Sequence, residues 1–547
     1  MKEITFPKLR LTYPIVLAVV LLTCTLAAFQ LSGHQTAYAA QVASPLDVVI
    51  SEIAWMGTAV SANDEWIELY NNTGSLVDLT GWTLIAADGT PSIALNGSIP
   101  AHSFFLLERT DDSTVPDVAA DLLYTGDLGN VGEDLVLRDG ASVVVDRVDS
   151  SAGWFSGHAD GRVPMARVVT AVDGSQANNW DYNPRCGSAT NAAGVSRTCT
   201  LTVTAVGQPL TYSVFFNELA TTAVATTTAV TEMESALLSL IDNAATSIDI
   251  ALYGLNRQSV VDALIAAHSR GVVLRVVGDD DAAVGEYSVW YQALVDAGIT
   301  IVTDTSASKI QHNKFLIVDD AVVWTGSTNF TDTGLTMNAN NSAIITDTLL
   351  ADVYQTEFEE MWSGVFHGDK ADNTAHLLDY NGTLVESYFS PTDLVAFEVW
   401  DELAGADETI HFAMFFWTDD LLANRVVERL GEGVAVYGVW DQLGEANVSS
   451  DDETLCAAGA RIKIEDFAGK VHHKFAVIDV YGSDPTVILG SYNWTASGAY
   501  DNDENTLIIH DATLAQAYYE EWQQLWTAVE LDRLCNPDRV YLPTIQR

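Results

Sequence analysis

Residues 312–319 read His-Asn-Lys-Phe-Leu-Ile-Val-Asp, and residues 472–479 read His-His-Lys-Phe-Ala-Val-Ile-Asp. Each stretch leads into a second short pattern, Gly326-Ser327 with Asn329 in the first copy and Gly490-Ser491 with Asn493 in the second. The spacing from His to Asp repeats residue for residue, which marks an internal duplication in which each half supplies half of one centre. The apolar, β-prone residues after each lysine predict a buried strand that ends at the aspartate. Alternation along a strand sets His and Lys, two apart, on one face. Ahead of each array the same elements recur in the same order. Helix, strand, helix and strand are expected at 232–243, 247–255, 258–269 and 272–277, and again at 391–403, 409–417, 420–430 and 434–440. This alternation predicts two α/β halves with parallel or mixed sheets, their His-x-Lys edges facing each other.

The residue types suit one kind of chemistry. Histidine attacks phosphorus or donates a proton near neutral pH, lysine holds positive charge against phosphate oxygens, and serine and asparagine add hydrogen bonds. That set calls for no metal and no cofactor. A lone histidine on an apolar strand is more often a packed or surface residue, but here that reading has to hold twice in register. Lys314 and Lys474 weigh against it, because a chain poor in basic residues places one in each copy beside a strand that reads as core.

His-x-Lys-x4-Asp followed by Gly-Ser-x-Asn resembles the signature of the phospholipase D superfamily, and the chain is similar to its two-copy members. The resemblance implies a phosphodiester hydrolase in which one histidine becomes a phosphohistidine, while the other protonates the leaving group and then activates water. It implies His312 as nucleophile, His472 as acid, and Lys314 and Lys474 as the charges that hold phosphate. Ser327, Asn329, Ser491 and Asn493 are then phosphate-binding or supporting residues. Asp319 and Asp479 are expected to accept a hydrogen bond from a histidine, as the third member of a triad does, or else to orient their own copy's lysine. The family's Asn-x-Glu-Asn occurs in the second copy as Asn502-Asp503-Glu504-Asn505, whereas the first reads Asn338-Ala339-Asn340-Asn341. Glu504 is therefore a supporting candidate, and the two histidines are expected in unequal surroundings. Ten residues rather than six separate Asp479 from Gly490, and turn formers at 481–485 predict a longer hairpin there.

Residues 1–40 have Lys2, Lys8 and Arg10, an apolar run at 14–29, and Ala37-Tyr38-Ala39 as a small-x-small site, the pattern of an export signal cleaved near Ala39 or Ala40. Cys24 raises a lipid anchor, to which Thr23 is a poor fit. The remaining cysteines, Cys186, Cys199, Cys456 and Cys535, suit an oxidising compartment. Nearness in sequence favours pairing Cys186 with Cys199 and Cys456 with Cys535. Their spacings lack the short knuckles of a zinc site.

Residues 44–185 lack helical periodicity and show short alternating strands between Gly, Asn and Asp turns, which predicts a β-sandwich. Val49-Ile50-Ser51-Glu52-Ile53, Glu65-Trp66-Ile67-Glu68-Leu69-Tyr70-Asn71 and Asp78-Leu79-Thr80-Gly81-Trp82-Thr83-Leu84 resemble the lamin tail domain, whose fold is immunoglobulin-like. A binding or positioning role follows from the resemblance, with its ligand open. Residues 186–210 read as a linker, 211–370 and 371–535 as the two halves, and 536–547 as a tail. The acidic run Asp279-Asp280-Asp281 lacks the further oxygen ligands a cation needs and is expected to be solvated.

The 547 residues carry 25 Lys and Arg against 74 Asp and Glu, a formal net charge of −49. That charge disfavours sequence-independent binding to a polyanion, so a nuclease would need a local basic groove. Three classes follow. A secreted or cell-surface phosphodiesterase cleaving phospholipid headgroups is narrowly preferred. An exported metal-independent nuclease is the alternative, and a non-catalytic surface-binding protein is the third.

Overall fold

In both duplicated halves the strand after the motif lysine is apolar at every position, so it has to be buried on both faces. The computed structural model describes residues 43–529, apart from 59–60, 116–117, 158, 160–161, 183–188, 195–202, 218 and 220–229. Residues 1–40, read as an export signal, and Cys186, Cys199, Cys535 and 536–547 lie outside the described residues. The strands Lys314–Val318 and Lys474–Ile478 sit inside two mixed sheets. Phe315, Ile317, Phe475 and Val477 enter one core shared by the two halves, together with Tyr354 and Phe358 of the helix Thr348–Trp362 and Tyr518 and Leu525 of the helix Ala512–Ala528. The alternate residues face outward into separate cores, Leu316 and Val318 in the first half and Ala476 and Ile478 in the second.

The first half's sheet has seven strands. Lys314–Val318 lies at its centre, antiparallel to Ser247–Leu252, which in turn runs parallel to Val273–Gly278 on its other side. The second half repeats this with Thr409–Met414 between Ala435–Trp440 and Lys474–Ile478, inside a sheet of nine strands. The helices Glu232–Asn243, Gln258–Ser269 and Asp420–Glu432 cover the outer faces as the apolar spacing predicts. Two differences have local causes. The helix expected at 391–403 begins only at Val395, because the Asp393 carboxylate accepts the Phe389 N–H at 2.8 Å and holds a turn there. The strand expected at 409–417 ends at Met414; Phe415 then stands against His472, while Trp417 turns into the outer core against Trp440 and Trp494.

The N-terminal unit is an all-β sandwich with sheets of six and four strands closed over Trp66, Trp82, Phe105 and Leu137. The described residues of the stretch read as a linker, 189–194 and 203–210, join the structure on either side. The Thr190 and Ala192 N–H groups donate to Glu68 and Asp121 of the sandwich, while Val203–Ala205 pairs in parallel with Leu377–Tyr380 at the edge of the nine-stranded sheet. Buried carboxylates looking for donors capture this backbone, which composition alone does not reveal.

Candidate active site

Each motif histidine lies just ahead of its strand, where the chain crosses into the other half. The His312 N–H donates to Asp503 O, and the His472 N–H donates to Ala339 O, both at 2.9 Å. Short parallel bridges, Gln311 with Asp503 and Ala339 with Val471, therefore stitch the halves together on either side of one centre. The side chains follow the same exchange. His312 Nδ1 lies 2.7 Å and 2.9 Å from the two carboxylate oxygens of Glu504 in the other half. His472 Nδ1 lies 2.9 Å from Asn340 Oδ1 and 3.1 Å from Ser327 O of the first half. In both, Nδ1 faces acceptors and Nε2 is left to react.

Lys314 and Lys474 are buried with their histidines, and each ammonium donates to the carbonyl of the histidine two residues before it, at 2.5 Å and 2.7 Å. Aromatic walls stand at matching places: Tyr253 is 5.1 Å from the His312 ring, and Phe415 is 4.7 Å from the His472 ring. Gly326 and Gly490 have φ of +147° and +149°, and a Cβ there would come within 2.4 Å and 2.1 Å of the carbonyls of Asn341 and Asn505. This is the physical reason for glycine before each serine. Ser327 and Ser491 then accept the N–H of Asn341 and Asn505, both at 3.0 Å, and act as braces. Asn329 and Asn493 follow the two serines by two residues, and their side-chain oxygens are buried without a hydrogen-bond partner among the described residues.

Asp319 and Asp479 are elsewhere. A five-residue strand spans roughly 16 Å, so the aspartate ends up at the far end from its histidine. Asp319 accepts the N–H groups of Ala245, Thr246 and Ser247, and Asp479 those of Asp407, Glu408 and Thr409. Neither touches a histidine or a motif lysine, so both expected roles are corrected to a structural one. The acidic run is also structural in part, since Asp279 caps the short helix Asp280–Val284. Asn340 carries the role that the first copy's missing carboxylate would have, and only its alignment with Glu504 signals this in the sequence.

Burial and mutual repulsion dominate the electrostatics. Burial holds His312 down to about 4 against the pull of Glu504, and Lys314 down to about 7. Burial, then Lys474, Lys314 and His312, keep His472 well below the ordinary histidine range, so charges of both copies meet here. Such a centre is short of negative charge and suited to an oxyanion.

The family model described as "Cardiolipin synthase, PLD-like domain" matches residues 237–362 and 399–526, once in each half, and the Lamin Tail Domain model matches 41–152. A phospholipase D of Rickettsia bellii is 36% identical over 138 residues, covering 25% of this chain and 67% of that protein. The chain belongs to the phospholipase D family. Among other members, a mitochondrial cardiolipin hydrolase of Chlamydomonas reinhardtii is 30% identical over 137 residues, covering 25% of the chain and 59% of that protein. The chain spans less than two thirds of the length of the cardiolipin hydrolases it matches. The crystal structure of Nuc, a phospholipase D family member from Salmonella typhimurium, is 30% identical and covers 28% of this chain and 96% of that one, with a TM-score of 0.24. The two family-model matches make the duplicated α/β halves phospholipase D-like domains and the N-terminal sandwich a lamin tail domain.

Proposed function

We propose that this phospholipase D family member is an exported phosphodiesterase that works through a phosphohistidine on His312. The observation that carries the reading is the unequal support of two imidazoles. Glu504 behind His312 balances the imidazolium charge that forms when Nε2 bonds to phosphorus. Neutral oxygens behind His472 leave its proton easier to lose, which suits an acid. In the first step His312 Nε2 attacks phosphorus, and the departing alkoxide takes a proton from His472. In the second, His472 takes a proton from water, the hydroxide displaces His312, and a phosphate monoester leaves. Lys314 and Lys474 hold the non-bridging oxygens throughout, and the diester's negative charge restores the protons that burial disfavours on the lysines and on His472. Asn329 and Asn493 are the further hydrogen-bonding groups.

Phospholipid is the preferred substrate class. The net charge of −49 opposes polyanions, and relatives are named for cardiolipin and phospholipid. Residues 1–40 as a leader and the cysteines as disulfides support export to the exterior or cell surface, where the lamin tail domain would bind a separate ligand.

The test is hydrolysis of phosphatidylcholine vesicles and of single- and double-stranded DNA by the purified protein in excess chelator, beside His312→Ala and His472→Ala. Turnover of lipid that survives chelation and vanishes in both variants is expected. DNA cleavage without lipid cleavage moves the reading to a nuclease, and the absence of both moves it to a binding protein.

A further inference from the structure

Asp503 ties the segment ahead of His312 to buried polar groups of the first half. Its backbone accepts the His312 N–H at 2.9 Å and donates to Ile310 O at 3.0 Å, and the next residue, Glu504, holds His312 Nδ1. Its side chain is fully buried and gripped by the first half. One carboxylate oxygen accepts the His367 N–H at 2.8 Å and pairs with Lys370 Nζ at 2.9 Å, while the other lies 3.0 Å from His367 Nδ1. The grip is itself braced. His367 Nε2 lies 3.1 Å from Asp304, and Lys370 pairs with Glu357 and donates to Ser390 O at 3.1 Å. His367 has φ +57°, a left-handed conformation that turns both its N–H and its ring toward the same carboxylate.

The mirrored position carries an internal control. Ala339 makes the same two backbone bonds, from the His472 N–H and to Lys470 O, and has only a methyl group for a side chain. One histidine of the pair is therefore anchored through a buried ionic cage and the other is not. We propose that His367 and Lys370 are positioning residues for His312: by gripping Asp503 they fix the start of the strand Glu504–His510, and with it the carboxylate that sets the ring of His312.

Charge in the cage agrees with this. Burial opposes a proton on His367, yet Asp304 and Asp503 raise it to about 9, and Asp503 is held below the ordinary range by Lys370 and His367. His367 and Asp503 therefore face each other charged at neutral pH, while burial raises Glu357 beside Lys370 to about 8, and removing the imidazole leaves buried charge unpaired. The inference rests on the phosphodiesterase reading only in naming His312 as the reacting group.

The test is His367→Asn in the full chain, since asparagine tolerates the left-handed backbone but is too short to bridge Asp304 and Asp503. Histidine-selective 15N NMR, with His312 and His472 assigned from their glutamine variants, reads each ring directly. The Nδ1–H signal of His312 is expected to shift or broaden while that of His472 stays in place. On bis(4-nitrophenyl) phosphate kcat should fall at least ~10-fold with KM within about twofold. A folded His367→Asn protein with an unchanged His312 signal, or equal changes at both rings, overturns the proposal. Should that variant not fold, Asp304→Asn removes only the outer brace, and an unchanged His312 signal there overturns it equally. If the wild-type protein hydrolyses no diester, the phosphodiesterase reading fails and the ring signals still decide the positioning.

Discussion

Replacing Glu504 by glutamine keeps an oxygen beside His312 Nδ1 but removes the charge that balances an imidazolium. The expected loss in kcat is about 10²–10⁴-fold, by analogy with the amide replacement of a triad aspartate. Asn340→Ala removes one of two neutral acceptors from His472 and should cost only about tenfold, the worth of one hydrogen bond. Steady-state rates on a soluble diester check the order, and a larger loss at Asn340 would reverse the assignment of nucleophile and acid. The lysines make a second prediction. Burial favours the neutral form of Lys314, whose pKa lies near 7, and an oxyanion in the site favours the charged form. Vanadate or tungstate should therefore bind with proton uptake and more tightly as pH falls from about 8 to about 6. Calorimetry in two buffers of different ionisation enthalpy measures the proton count, and a count of zero refutes the charge deficit.

At the scale of elements, Asp319 and Asp479 act as clips on the loops entering Ser247–Leu252 and Thr409–Met414. Asp319→Ala leaves several N–H groups without their acceptor and should destabilise the protein by roughly 2–4 kcal/mol, with little change in kcat where the variant is folded. Burial raises the Asp319 pKa, but the donors of Ala245, Thr246 and Ser247 outweigh it and hold the group down to about 2. Its stabilisation is thus present above the unfolded value near 4 and fades as pH falls through about 2, which acid-unfolding curves of wild type and variant measure. This clip also shows where sequence reading stops. The helices at 232–243 and 258–269 are legible to the residue, because apolar periodicity and a closing glycine are local signals. The duplication and the convergence of the two His-x-Lys pairs are legible as well. The place of the aspartates is not legible, because closeness in sequence hides the length of a strand, and the pairing of His312 with Glu504 spans 192 residues, beyond any local pattern.

For the whole molecule, charge is the dominant long-range property. A net −49 repels anionic surfaces at low salt, and screening relieves the repulsion. Turnover on vesicles rich in anionic lipid should rise between about 10 and 150 mM salt, while turnover on phosphatidylcholine stays nearly flat. A fall on both would indicate a local basic patch that governs substrate approach. The crossed arrangement of the centre, with each half supplying the group behind the other half's histidine, reaches further than catalysis. A twofold pair of identical halves would copy every substitution to both places at once, so both histidines would keep the same partner. Joining the halves in one chain lifts that restriction, and position 504 can hold glutamate while position 340 holds asparagine. Inherited change in such a protein should then travel in crossed couples, 312 with 504 and 472 with 340, and a damaging substitution in one repeat should be rescued most readily from the opposite one.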